Sequence, residues 1–115
     1  MSAETRLATY GTLAPGEVNH HQMAGMEGVW FKGRGRGHLH PEGWGAEHGC
    51  PGMTPDEVGD WIEVHIFESS DLPGRWPRLD DFEGAEYRRT IIEAEVDGQS
   101  LPVSIYALAK GDDQI

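Results

Sequence analysis

The sequence holds one cysteine, few bases and no long apolar run, and each shortage closes off a class of function. A lone Cys50 cannot form an internal disulfide. With 9 basic residues against 20 acidic ones the net charge is −11, and the field around such a chain repels phosphate backbones and anionic lipid surfaces, which argues against nucleic acid and membrane as partners. Met1 to Arg6 is polar with no apolar run behind it, so the expectation is a cytoplasmic chain with no signal peptide and no membrane span. Leu, Ile, Val and Phe together make only 22 of 115 residues, about 19%, a composition bordering on that of disordered chains. Four Trp, three Tyr and clean strand patterns weigh the other way. The length suits a single domain over residues 1–115, in which a shallow pocket is expected rather than a large cavity.

Arg6 to Thr9 and Tyr10 form a short candidate strand ending at Gly11, and Pro15 to about Gly25 is expected to make two or three helical turns. Val29 to Gly37 alternates bulky with small or charged residues and reads as a strand. Gly, Pro and His then dominate up to Gly59, which predicts a long loop or a frayed hairpin. In Asp60 to Phe67, Ile62, Val64 and Ile66 share one face while Trp61, Glu63 and His65 share the other, the period of two that marks a strand. A helix is expected to start near Pro77 and stop at Gly84. Tyr87 to Val96 and Leu101 to Leu108 flank Asp97-Gly98, a strong hairpin signal. The expectation is an α+β domain: a small mixed or antiparallel sheet curled into a partial β-barrel, with two or three short helices.

No nucleophile elbow or catalytic cysteine arrangement is present. The glycines at 33, 35 and 37 imitate a dinucleotide fingerprint, but they alternate with arginines and lead into His and Pro instead of opening a helix. His38 and His40 share a face if extended, and Glu47, His48 and Cys50 lie near enough in sequence to complete a zinc site. These ligands follow no established zinc spacing, which favours a solvated loop and no metal. His20 and His21, adjacent on an expected helix, diverge from each other and suit a surface or helix-end contact. Two constellations remain. In Tyr10-Gly11-Thr12-Leu13 a strand ends at a glycine and a helix is expected to follow, a geometry whose amides can hold an anion or a carboxylate. In Leu79-Asp80-Asp81-Phe82-Glu83-Gly84-Ala85-Glu86-Tyr87-Arg88, four carboxylates gather at a helix C-terminus, where each opposes the dipole at a cost of about 0.3–1 kcal/mol. One reading is a solvated acidic corner. The other is a carboxylate whose like-charged neighbours, with partial burial beside Phe82 adding to their effect, raise its pKa into the range useful for a general base or for holding an amine.

Together the two constellations resemble the γ-glutamylcyclotransferase-like family, including its AIG2-like branch of small proteins. That family carries a Tyr-Gly-Thr/Ser-Leu loop after its first strand and a Leu-Asp-x-x-Glu-Gly-x-x-Tyr-x-Arg segment about two thirds of the way along. The counterparts are Tyr10 to Leu13, with Gly16 and Asn19 behind them, and Leu79 to Arg88 or Arg89; a closing hairpin with Tyr106 also fits. The segment from His38 to Met53 matches no part of the pattern. The resemblance implies intramolecular aminolysis: the α-amine of a γ-glutamyl group attacks its own γ-amide carbonyl, closing 5-oxoproline and releasing an amine or amino acid. It implies Glu83 as the general acid and base, Tyr10, Gly11, Thr12, Leu13, Tyr87 and Arg88 as substrate-binding residues, a small γ-glutamyl molecule as partner, and no cofactor. A ligand-binding member of the same fold without turnover, and a His/Cys metal-binding protein, are the alternatives.

Overall fold

Alternating side chains sort the strands of this chain into an inner and an outer face. The computed structural model describes residues 3–11, 13–17, 20–40, 52–84 and 87–108. Its strands are β1 (Arg6–Thr9), β2 (Val29–His40), β3 (Gly52–Pro55), β4 (Asp60–Glu68), β5 (Tyr87–Val96) and β6 (Gln99–Leu108). One α-helix, α1, covers Leu72–Glu83, and 3-10 turns cover Ala3–Thr5 and His20–Met23. The strands pair in the order β3-β2-β4-β1-β6-β5, and a bridge from Arg34 on β2 to Glu95 on β5 closes five of them into a barrel. β1 runs parallel to β6 and antiparallel to β4, so the sheet is mixed, as expected.

Inside the barrel lie Ala8, Ile62, Val64, Ile66, Ala94, Val103 and Ile105, with Met53 of β3 folded in beside them. Ala8 stands opposite both Ile66 and Ile105 in register, so three strands place their inward side chains at one level. The neighbouring residues Leu7, Phe67 and Tyr106 face outward and receive α1 through Leu72, Trp76 and Leu79. Leu72 and Leu79 are completely buried, and burying such a side chain stabilises by about 1.5–3 kcal/mol.

Three elements differ from expectation. α1 begins at Leu72, five residues before Pro77. Pro73 occupies the first turn, where the amide has no partner to lose, and Pro77 costs the helix one hydrogen bond; burial of Leu72 and Trp76 outweighs that loss. Between Pro15 and Gly25 the described residues form turns and the His20–Met23 3-10 turn, with Gly16 and Gly25 at φ of 84° and 89°. The strand beginning at Val29 runs on to His40 and pairs antiparallel with β3, His40 opposite Gly52, so strands occupy part of the stretch expected to be a long loop or a frayed hairpin; residues 41–51 lie outside the described residues.

The Gly-Arg alternation has its explanation in the barrel seam. Gly33 and Gly35 point inward where β2 approaches β5: a Cβ on Gly33 would lie 2.9 Å from the Glu95 carbonyl oxygen, and one on Gly35 would lie 2.8 Å from Ile92. Lys32, Arg34 and Arg36 alternate outward, and the Arg34 and Arg36 guanidinium groups lie 4.3 and 4.5 Å from the Trp61 ring centroid. Among the described residues, no helix is long and apolar enough to cross a membrane.

Candidate active site

The segment after β1 is held from three directions. The Tyr10 hydroxyl donates to the Tyr106 carbonyl oxygen at 2.7 Å, tying the end of β1 to its neighbour β6. Gly11 donates its amide to Thr9 Oγ1 at 3.4 Å and accepts the Ala14 amide at 3.2 Å, so the chain folds back on itself at the glycine. Farther along, Leu13 is buried with Met23 and the α1 side chains, and its carbonyl lies 3.0 Å from His20 Nδ1. A carbonyl only accepts, so Nδ1 carries the proton. The His20 turn is itself fastened to α1, because Arg75 donates to the Gln22 and Ala24 carbonyls at 2.9 and 3.0 Å. Thr12 lies outside the described residues.

Glu83 is the last residue of α1 and half-buried. Gly84 ends the helix with a φ of 83°, which suits glycine, and its amide donates to the Asp80 carbonyl at 3.1 Å. Burial lifts the Glu83 pKa from 4.5 to about 7, since a carboxylate withdrawn from water loses hydration that the neutral acid needs less. The balance of causes differs from the expected one, since burial was expected only to add to like-charge repulsion. Asp80, one of the expected like charges, is neutralised by Arg89, whose Nε and Nη2 donate to it at 2.9 and 3.1 Å. Those bonds, helped by one from the Tyr106 hydroxyl, hold the Asp80 pKa below its usual value. Asp81 is exposed, and Glu86 lies outside the described residues.

Tyr106 joins the two constellations. Its carbonyl takes the Tyr10 hydroxyl, and its own hydroxyl donates to Asp80 Oδ1 at 2.6 Å. The phenol pKa is raised by burial first, then by the bond to Asp80, with the charge of Glu83 adding to the shift. The end of β1 and the last turn of α1 are therefore each tied to Tyr106, one through its carbonyl and the other through its hydroxyl. Tyr87 packs half-buried against the helix-side cluster. Of the two arginines that could complete the motif, Arg89 stands opposite Tyr106 in register and reaches α1, while Arg88 stands opposite Ala107 and is exposed.

A profile described as "Gamma-glutamyl cyclotransferase, AIG2-like" matches residues 7–115. The chain belongs to this family. Its fold resembles that of an AIG2-like protein from Mus musculus, with a TM-score of 0.64 and 28% identity over 91% of this chain and 77% of that one. The solution structure of A2LD1 is similar at 29% identity and a TM-score of 0.60, covering 91% of this chain and 78% of that one. YkqA from Bacillus subtilis shares the fold with a TM-score of 0.71 at 24% identity over 91% of this chain. This chain spans 36% of the length of YkqA. No match to a curated protein is found.

Within this AIG2-like chain the other candidate sites lie elsewhere. His38 Nε2 is 2.8 Å from Asp56 Oδ2 and His40 Nε2 is 2.8 Å from Thr54 Oγ1, so both imidazoles face partners across the β2–β3 hairpin. Among the described residues no group of three or more His, Cys, Asp or Glu is placed to hold a metal; Glu47, His48 and Cys50 lie outside them. A groove of about 710 Å3, lined in part by Arg36, Trp61, Ile91 and Glu93, opens where β2 and β5 part, and neither Glu83 nor Tyr10 lines it. Asp80 was expected beside Glu83 only as a like charge, Arg89 only as an alternative to Arg88, and Tyr106 only in the closing hairpin; their joining into one cluster was not expected. Asp80 and Arg89 stand in the second motif, but their pairing with Tyr106 depends on the packing of α1 against β5 and β6.

Proposed function

We propose that this chain catalyses intramolecular aminolysis of a small γ-glutamyl compound, with Glu83 as the proton carrier. The supporting observation is Tyr106, whose carbonyl accepts the Tyr10 hydroxyl and whose own hydroxyl reaches Asp80, three residues before the half-buried Glu83. The α-amine nitrogen of the substrate attacks its own γ-carbonyl carbon, forming the ring C–N bond. The amide C–N bond then breaks, and its electron pair leaves on the departing nitrogen. Glu83 as carboxylate takes a proton from the attacking nitrogen and, as the acid so formed, gives it to the leaving nitrogen. A group that titrates near pH 7 serves both halves of this cycle, because neither protonation state is scarce at neutral pH. Because the nucleophile and electrophile belong to one molecule, folding the substrate into an attacking shape supplies a large part of the rate.

Tyr10, Gly11, Thr12 and Leu13 receive the substrate carboxylate or the oxyanion that develops at the carbonyl, the Gly11 amide exchanging its long 3.4 Å bond to Thr9 for the substrate, and Tyr87 and Arg88 complete the binding surface. The test is incubation with γ-glutamyl amino acids and γ-glutamyl amines, measuring 5-oxoproline. Turnover by the wild type that falls roughly a hundredfold or more in Glu83→Gln supports the reading, since that is the usual worth of general acid-base catalysis. Asp81→Asn, on an exposed side chain, costs far less. Full activity in Glu83→Gln, or binding of these compounds without turnover by the wild type, overturns it.

A further inference from the structure

Asp80, Arg89 and Tyr106 meet one helical turn before Glu83, and the reaction above uses none of them. Contacts converge on Asp80. Its carboxylate accepts from the Tyr106 hydroxyl at 2.6 Å and from Arg89 at 2.9 and 3.1 Å, and its carbonyl accepts the helix-ending Gly84 amide at 3.1 Å. The Arg89 guanidinium lies 4.4 Å from the Trp76 ring centroid, and Trp76 Nε1 donates to the Glu4 carbonyl at 3.0 Å. These side chains come from α1, β5 and β6, so the cluster binds the last turn of the helix to two strands. Glu83, three residues beyond Asp80, is carried by that turn.

The charges of Asp80 and Arg89 cancel, so what reaches Glu83 is the weak field of a dipole. A phenol has one proton, and that of Tyr106 is donated to Asp80. We infer that Asp80, Arg89 and Tyr106 form a positioning unit that fixes the end of α1 to the barrel without adding net charge beside Glu83. The inference rests on Glu83 being the proton carrier of the proposed reaction. Other titratable or charged groups on the elements meeting here include Arg78 and Asp81 on α1, Tyr87 and Arg88 on β5, and Tyr10 just after β1, while Arg75 of α1 and Glu93 and Glu95 of β5 complete the set; none of them is altered in the test.

The sign of the electrostatics supplies that test. Asp80→Asn leaves the Arg89 cation uncancelled, which favours the Glu83 carboxylate; Arg89→Gln leaves the Asp80 anion uncancelled, which disfavours it. Carbon-detected NMR on the full chain, with the Glu83 carboxyl resonance assigned by its loss in Glu83→Gln, reads the titration directly. The midpoint is expected to fall in Asp80→Asn and to rise in Arg89→Gln, each by roughly half to one pH unit for a charge several ångströms away, and to return near the wild-type value in the double variant. The rising limb of 5-oxoproline formation against pH follows the same order. A purely structural role lowers stability in both variants without opposite midpoints, so shifts of the same sign, or of less than about 0.2 pH unit, overturn the inference. If Arg89→Gln does not fold, the nearly isosteric Asp80→Asn decides alone, and a midpoint that fails to fall is the refutation. Opposite shifts together with full activity in Glu83→Gln overturn the proposed reaction while leaving the electrostatic role of the pair intact.

Discussion

Replacing Glu83 by Gln is expected to make the protein more stable above neutral pH, and by an amount that depends on pH in a specified way. The carboxyl titrates near pH 7 in the folded chain against an ordinary value of 4.5. Its folded pKa is raised, so between these values the folded state keeps a proton that the unfolded state has released. The contribution of this group to stability is therefore greatest below about pH 4.5, declines as the pH rises through the interval, and levels off above about pH 7. At 1.36 kcal/mol per pH unit the interval sets a ceiling of about 3 kcal/mol. Partial exposure of the side chain reduces this to about 1–2 kcal/mol, because water screens the charge that burial penalises. Glutamine keeps the shape and has no charge to bury. Thermal melts of wild type and Glu83→Gln at pH 4.5 and pH 8 measure the difference at each pH, in which every other titrating group cancels. The variant is expected to melt several degrees higher at pH 8, with the gap closing toward pH 4.5, given roughly 4–8 °C per kcal/mol for a domain near this size. A gap that stays constant across that range refutes the claim that burial of this carboxyl penalises its charge. Gained stability alongside lost turnover is the pattern of a group retained for chemistry at a cost to the fold.

Further outcomes follow from the packing. Gly33→Ala places a methyl 2.9 Å from the Glu95 carbonyl oxygen and is expected to destabilise by about 1–3 kcal/mol in urea unfolding, as overpacking does. Leu79→Ala empties a fully buried position between α1 and the barrel and is expected to lower stability by about 2–5 kcal/mol in the same assay. Trp76→Phe removes the bond to Glu4 and weakens the contact with Arg89, for which chemical denaturation is expected to show a loss of about 1–2 kcal/mol.

Much of the sheet was legible in the sequence because strands with one buried face advertise it residue by residue. Ile62, Val64 and Ile66 mark β4, and Asp97-Gly98, with φ of 53° and 82°, forms the two-residue turn their types favour. The start of α1 was obscured by Pro73 and Gly74, which read as breakers; the spacing of Leu72, Trp76 and Leu79 was the signal that outweighs them. Gly33 and Gly35 resembled a phosphate loop because glycine serves any close backbone approach, here of one strand to another. At the site, Tyr10 and Glu83 were visible through their motifs. The balance of causes behind the Glu83 shift was not, because a cluster of acids in sequence says nothing of which one a distant arginine neutralises, and Arg89 does so only once β5 lies beside α1.

The position of β1 has a consequence for how the chain reaches its native state. This strand, the first in the chain, lies between β4 and β6, with Leu7 opposite Phe67 on one side and Ser104 on the other. Neither partner is local, so the central seam of the barrel waits for segments some sixty and nearly a hundred residues downstream. Closing loops of that length comes at an entropic cost before any contact repays it, and topologies rich in such contacts fold slowly. During synthesis, β1 emerges early and remains without a sheet until β4 arrives, while the β5–β6 hairpin can pair as soon as its two-residue turn is made. Kinetically, the late hairpin is the natural nucleus, and β1, made before both of its partners, is among the last elements to be locked in place.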